Sequence, residues 1–423
     1  MPVPARRDDS PASAFRSPRA RASAAQAMPS PLHRQRPLPP TAGRRTAPSL
    51  CPVRPWSPVV VDSLASLYGS RHGCLGSPAP AAGPWDRAAW TARDVRRPPT
   101  IQTRLQFPPR HRPRTSAFSP MRRLVAEWEP QRALMLVWPH AHTDWAARLP
   151  SVEHAYLELV AAVSQFEELV LVCRDAEHQA EVEARCLGAG IPPARVRWAL
   201  APSDDTWARD FGPLSVRTAH GLELVDFRFD GWGGKFPAAQ DDRITTTVAA
   251  QGAFGGLPVR RVPVVLEGGA IDTDGRGTLL VSEHCLLDPF RNPGITRTAM
   301  ERLLATHLGA TRIHWLRAGW IEGDDTDGHV DNLVRFAGPN ILVHASCTDP
   351  RDPHFESLGA LSRELERLRA ADDVPYRRVP LPLPAAVRDE GGRRLPASYV
   401  NFLVINGAVL VPQFDDPADA HAR

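Results

Sequence analysis

An α/β fold with mixed strand pairing is expected for the part of this 423-residue chain that begins near residue 122. Two observations predict it. From that point short β-branched runs alternate with segments whose apolar residues recur at helical spacing, and hairpin signals lie among them. Several units of two or three short strands and one helix fit mixed pairing better than a uniform βαβ wind, and no short exact repeat is visible.

The elements follow in order. RALMLVWP (Arg132 to Pro139) is a buried-strand run that stops at a proline. SVEHAYLELVAAVSQF (Ser151 to Phe166) opens on a Ser-x-x-His near-cap and places Val152, Tyr156, Leu159, Val160 and Val163 on one helical face. ELVLVC (Glu168 to Cys173) is a strand, and AEHQAEVEARCLGAG is a helix stopped by Gly188 and Gly190. LELVDFRF (Leu222 to Phe229) precedes the helical DDRITTTVAAQGAF. VPVVLE (Val262 to Glu267) leads into IDTDGRGTLLVS, a hairpin with Asp274-Gly275 at its turn. The helix ITRTAMERLLATHLG, the strands NLVRF and NILVHA, and the helix FESLGALSRELERLRA come next. SYVNFLVING and AVLVPQF are the last strand runs.

Charge divides the chain. Residues 1–120 hold 22 of the 44 prolines and 19 arginines against 5 acidic residues, a net +14, whereas residues 121–423 carry a net −10. The part expected to fold is acidic, so no nucleic-acid partner is implied. Residues 1–120 show almost no apolar periodicity beyond Val59 to Tyr68 and are expected to be a disordered Arg/Pro-rich extension. It could be a phosphate-binding arm, a transit peptide, or sequence upstream of a true start at Met121. The last is preferred, and initiation mapping tests it. Lys235 is the only lysine, read as codon bias.

No run approaches 18 apolar residues, so no membrane helix is expected. The N-terminus lacks the apolar core of a secretory signal. The six cysteines (Cys51, Cys74, Cys173, Cys186, Cys285, Cys347) are scattered without a CxxC pair, which reads as reduced thiols in a cytoplasmic protein. Oligomeric state is not readable.

Four segments concentrate chemistry: DDTWARDFGP (Asp204 to Pro213), FDGWGGKF (Phe229 to Phe236), LEGGAI (Leu266 to Ile271) and EGDDTDGHVDN (Glu322 to Asn332). They supply Asp210, Glu267, Asp327, Asp331 and His329, with Trp207 and Trp232 nearby in sequence. Carboxylates held close together raise one another's pKa unless a cation neutralises them. A metal ion is one candidate, but neither DTDGRG nor DDTDGH has EF-hand spacing and there is no HExxH. An organic guanidinium is the better one: its planar fork matches two carboxylates, and Trp faces stack on it. Any one of these acids could equally be a cap, a turn former or a solvated charge. That is preferred for Asp274, Asp241 and Asp242, and His329 taken singly would more often be a hydrogen-bonded structural histidine.

Taken together, AEWEPQRALMLVWPH (Ala126 to His140), DTWARDFGP, GWGGKF, LEGGAI, GTLLVSEHCLLDPFRNPG, DDTDGHVDN and ASYVNFLVINGAVLVPQFDDPAD resemble the agmatine deiminase and bacterial peptidylarginine deiminase family, in order along nearly all of 122–423. The resemblance implies the pentein fold, an α/β propeller of five modules around a central site. It implies hydrolysis of a guanidinium without metal or organic cofactor: agmatine to N-carbamoylputrescine, a step of putrescine and polyamine metabolism, or arginine to citrulline. It implies that Asp210 and Asp331 bind the guanidinium, that His329 is the general acid/base, and that Glu267 orients it. Trp207, Trp232 and Asp327 would line the substrate pocket.

The family's nucleophile is a cysteine thiolate that forms an S-alkylthiouronium resolved by water. In the family it lies in a GGxxHC-type motif beyond the PQFDDPAD segment, and no cysteine of this chain has that context. The expectation is therefore a deiminase-family domain, residues 121–423, with its last module incomplete and little or no activity. The alternatives are a non-catalytic guanidinium- or polyamine-binding protein, and a metal-dependent hydrolase built on DDTDGHVD.

Overall fold

The computed structural model describes residues 122–389 and 391–423. The expectations for residues 1–120, including the Val59 to Tyr68 run, Cys51 and Cys74, lie outside the described residues.

Strands Ala133–Val137, Glu168–Cys173 and Val196–Leu200 form one all-parallel sheet. Its first crossover helix spans Leu149–Ser164 and begins two residues before the expected Ser151. Pro150 occupies its first turn, where a missing N–H costs nothing, and Ser151 Oγ bonds back to Arg148 O instead of capping. The second, Ala176–Gly188, is capped by Asp175, whose carboxylate accepts from His178 N. It ends where Gly190 takes φ +75° and Ile191 N reaches back to Cys186 O.

Three further sheets share one plan, in which an antiparallel hairpin is followed by a helix and then a parallel strand. The first pairs Leu214–Thr218 with Gly221–Arg228, crosses through Asp241–Ala250 to Val259–Val265, and adds Arg122–Leu124 at its other edge. The second is the Asp274-Gly275 hairpin, Ile271–Thr273 with Thr278–Ser282, followed by helix Arg297–Leu308 and strand Arg312–Leu316. The third pairs Val334–Gly338 with Ile341–Ser346 and returns through Phe355–Leu365 to Arg377–Pro382. Pro380 and Pro382 fall on that last strand because it is an edge and needs fewer donors. A two-stranded hairpin, Leu403–Ile405 with Ala408–Leu410, completes the set.

Burial explains the alternation. Leu169 to Cys173 are buried without a break because helices cover the parallel sheet. Leu403, Ile405 and Leu410 pack into the same core as Trp138, Tyr156 and Leu159, which ties the last hairpin to the first sheet. Fully burying a side chain of this size contributes about 1.5–3 kcal/mol. Val196–Leu200, Leu214–Thr218, Arg312–Leu316 and Arg377–Pro382 were not expected as strands; each carries arginine or proline that breaks the apolar pattern. Among the described residues no helix is long and apolar enough to cross a membrane.

Candidate active site

The acidic segments meet because short turns follow the strands. Asp210 sits in the four-residue helix Ala208–Phe211. Gly212 closes that turn, and a Cβ there would lie 2.3 Å from Ala208 O. Upstream, the Asp241 carboxylate accepts from the backbone N–H groups of Asp204 and Asp205, which fixes the approach to Trp207.

Both oxygens of Asp210 are engaged. Oδ1 accepts from Gly269 N at 2.9 Å, and Oδ2 accepts from the Trp232 indole at 3.0 Å. Trp232 itself has φ +59°, a left-handed conformation that costs a non-glycine residue about 1–3 kcal/mol. It is flanked by Gly231, at φ +75°, where a Cβ would lie 2.2 Å from Phe236 O.

His329 and Asp331 come from a second turn. Asp324 Oδ1 accepts from Thr326 N and Oγ1, Asp324 Oδ2 accepts from Gly328 N, and Thr326 Oγ1 accepts from His329 N. The short helix Val330–Leu333 then begins with His329 as its N-cap residue. Its far side is pinned by Ser398 and Asn401, which bond to Asn332 O and Oδ1. Part of SYVNFLVING thus acts as a brace instead of a strand.

The two turns converge on Gly269. A Cβ there would lie 2.4 Å from His329 Nδ1, 2.7 Å from Asp210 Oδ1 and 2.9 Å from Asp331 Oδ2. His329 Nδ1 stands 3.6 Å from Asp210 Oδ1. His329 Nε2 and Asp331 Oδ1 are buried with no hydrogen-bond partner among the described residues. Such atoms are costly in a folded protein, and both residues line a cavity. A donor-rich cation in that cavity would satisfy Asp331.

Burial opposes a charge on His329, but the carboxylates of Asp210, Asp331 and Glu267 outweigh it and hold the imidazole pKa above its ordinary value. Asp331 is pushed up to about 6 by burial; the His329 charge opposes that shift and Asp210 adds to it. Asp205 is pushed up to about 7, first by burial and then by Asp144.

Trp207, Asp210, Trp232, His329 and Asp331 line one cavity, and Asp144, Asp205, Asp325 and Arg393 continue its wall. Two expected site residues lie behind that wall. Glu267 is 1% exposed and accepts from Arg291 Nε at 2.7 Å. Asp327 is held by Lys235 Nζ and Arg291 NH1, each at 2.6 Å, so its charge is already matched. These two cations hold its carboxyl below its ordinary value against the effect of burial. The acidic stretch 322–331 thus divides into pocket-facing, turn-forming and ion-paired members.

The described cysteines are free thiols, and none lines the cavity. Cys285 Sγ lies 3.4 Å from both Thr326 O and Asp327 O, and Thr326 is part of the cavity wall. Burial, with Glu267 adding, pushes its thiol far above the ordinary range, the reverse of what a nucleophile needs. Among the described residues no group of three or more His, Cys, Asp or Glu side chains is arranged to hold a metal ion.

Residues 123–423 match the family model described as Porphyromonas-type peptidyl-arginine deiminase. The chain belongs to that family. The agmatine deiminase of Ectopseudomonas mendocina is 34% identical over 323 residues, 71% of this chain and 85% of that one. A substrate-bound agmatine deiminase structure from C. jejuni shares 32% identity and a TM-score of 0.64, covering 71% and 85% of the two chains. The Enterococcus faecalis agmatine deiminase structure shares 29% identity and a TM-score of 0.64, covering 71% and 86%. The fold is therefore the mixed α/β fold of these deiminases.

Some of this family member's site was not identified from the sequence. Asp144 and Arg393 lie outside the four acidic or glycine-rich segments, in loops with no motif of their own. Arg291 lies in the quoted DPFRNPG string, but an arginine in an arginine-rich chain gives no local sign of burial. Gly269 was legible only as part of LEGGAI; its need for a missing Cβ is a tertiary fact.

Proposed function

We propose that this pocket binds a guanidinium whose chain carries a second cation, agmatine, as the substrate of hydrolytic deimination. The convergence of Asp210, Asp331 and His329 around Gly269 carries this assignment. The agmatine deiminases among its relatives support it. Guanidinium plus water gives the ureido group of N-carbamoylputrescine and ammonium. In that scheme Asp210 and Asp331 accept the guanidinium N–H groups, each charge-assisted bond contributing about 1.5–3 kcal/mol. His329 Nε2 gives its proton to the departing ammonia and recovers one from the attacking water. Glu267, behind the wall, favours the imidazolium.

Asp144, Asp205 and Asp325, which also line the cavity, suit an ammonium and would repel an α-carboxylate. Arg393 on the same wall favours a second assignment, an arginine side chain whose carboxylate it would meet. We further infer that the five sheets are successive blades of one propeller. The deimination scheme also needs a nucleophile to open the resonance-stabilised guanidinium, and no described cysteine lines the cavity, so this chain is assigned agmatine binding without turnover.

Calorimetry with agmatine and with arginine, beside an ammonia-release assay, tests this. Agmatine binding that Asp210→Asn abolishes, with no ammonia released, is the expected result. Failure of the wild-type chain to bind either ligand would overturn the proposal, and arginine binding more tightly than agmatine would transfer it to the second substrate.

A further inference from the structure

Behind the cavity lies a guanidinium of the protein's own. The Arg291 side chain is 1% exposed and makes four charge-assisted or carbonyl bonds. Nε donates to Glu267 Oε1 at 2.7 Å, and NH1 donates to Asp288 Oδ2 at 2.7 Å and to Asp327 Oδ2 at 2.6 Å. NH2 donates to Thr326 O at 2.8 Å. The side-chain amide of the next residue, Asn292, anchors the segment to Val265: Nδ2 donates to Val265 O at 2.9 Å and Oδ1 accepts from Val265 N at 3.1 Å. Arg291 therefore spans the end of strand Val259–Val265, which leads to Glu267, and the turn that immediately precedes His329.

We propose that Arg291 is a positioning residue: one buried fork fixes Glu267 and the Thr326–Asp327 turn against each other and so aims the His329 imidazole into the pocket. Lys235 braces the same turn from the solvent side, donating to Asp325 O at 2.7 Å as well as to Asp327. The arrangement has an electrostatic consequence. Glu267 is driven towards the neutral form by burial, and the Arg291 charge is the main opposing force. An ionised Glu267 in turn supports the protonated His329, alongside Asp210 and Asp331. Without Arg291, a carboxylate this deeply buried takes up a proton, and His329 keeps only Asp210, Asp331 and Asp324 as anionic supports.

This inference rests on the assignment of His329 as the acid/base of the proposed site, and the experiment separates the two. The full chain is labelled with 13C-histidine, the His329 signal is assigned by its loss in His329→Asn, and its titration midpoint is followed alongside agmatine calorimetry. Arg291→Met is expected to lower the midpoint by about one pH unit and to weaken agmatine binding at least tenfold. Glu267→Gln should lower the midpoint similarly, and the double variant should add nothing further. Arg291→Lys keeps a charge without the fork, so the midpoint should stay near wild type while binding weakens.

A folded Arg291→Met chain with unchanged midpoint and affinity would overturn the proposal. If Arg291→Met does not fold, Arg291→Lys decides: wild-type affinity together with unchanged His329 shifts would equally overturn it. Absence of agmatine binding to the wild type would defeat the proposed function alone, because the midpoint comparison needs no ligand.

Discussion

Gly269→Ala places the smallest possible side chain where three site groups already meet. The added carbon would lie 2.4 Å from His329 Nδ1, 2.7 Å from Asp210 Oδ1 and 2.9 Å from Asp331 Oδ2. Ordinary contact lies near 3.5 Å, so these groups must retreat by roughly 0.5–1 Å. Gly269 does not occupy the left-handed region, so its backbone accepts alanine and the collision is the whole effect. Overpacking of this kind costs about 1–3 kcal/mol of stability. Displacing a carboxylate this far removes at least one charge-assisted bond to the ligand, about 1.5–3 kcal/mol, or roughly 10–150-fold in affinity. Calorimetry at pH 7.5 should therefore show agmatine affinity falling within that range, with a modest loss in a urea melt. Gly188→Ala serves as the control: nothing lies within 4 Å of its added carbon and it ends a helix, so it should be neutral or slightly stabilising. Wild-type affinity in a folded Gly269→Ala chain would refute the convergence on which the site is built.

Because Asp331 ionises only above about 6, agmatine affinity should fall about tenfold per pH unit below that value, as read by calorimetry from pH 8 to 5. The same carboxyl, raised from 3.8, takes up a proton on folding as pH falls through 6. Its contribution to stability is thus complete below about 3.8 and lost as pH rises through about 6, and Asp331→Asn should flatten that part of a stability–pH curve. Arg335, 3% exposed and paired with Glu127 and Asp272, should cost about 3–5 kcal/mol in a urea melt when changed to Met, because it removes the cation on buried Asp272 and leaves Glu127 with Arg209 alone. Trp232→Phe removes the indole donor to Asp210 and keeps the ring, so agmatine affinity should drop about 2–10-fold. A chelator should leave agmatine binding unchanged; binding that disappears with it would favour the metal alternative.

Much of the architecture was legible because burial writes itself into periodicity. The unbroken run Leu169 to Cys173 and the helical face Val152, Tyr156, Leu159 and Val163 needed no partner to be recognised. Strands such as Arg312–Leu316 and Arg377–Pro382 were hidden, since their arginines and prolines are tolerated only through edge positions and side-chain partners set by the tertiary fold. The site shows the same division. Asp210, His329 and Asp331 stood out as carboxylates and an imidazole concentrated in short acidic segments. Whether a given acid faces the cavity, as Asp331 does, or meets cations, as Asp327 does with Lys235 and Arg291, depends on groups about 36 to 92 residues away in sequence. Composition alone cannot assign that. The short helices around Asp210 and His329 were likewise unreadable, because four residues carry too little periodicity.

The most direct measurement is a crystal structure of the full chain with agmatine. The account predicts the guanidinium between Asp210 and Asp331, its N–H groups within about 3 Å of both carboxylates, beside His329 Nε2, with the ammonium towards Asp144 and Asp205. Agmatine bound elsewhere, or Asp210 and Asp331 opening onto different surfaces, would contradict it.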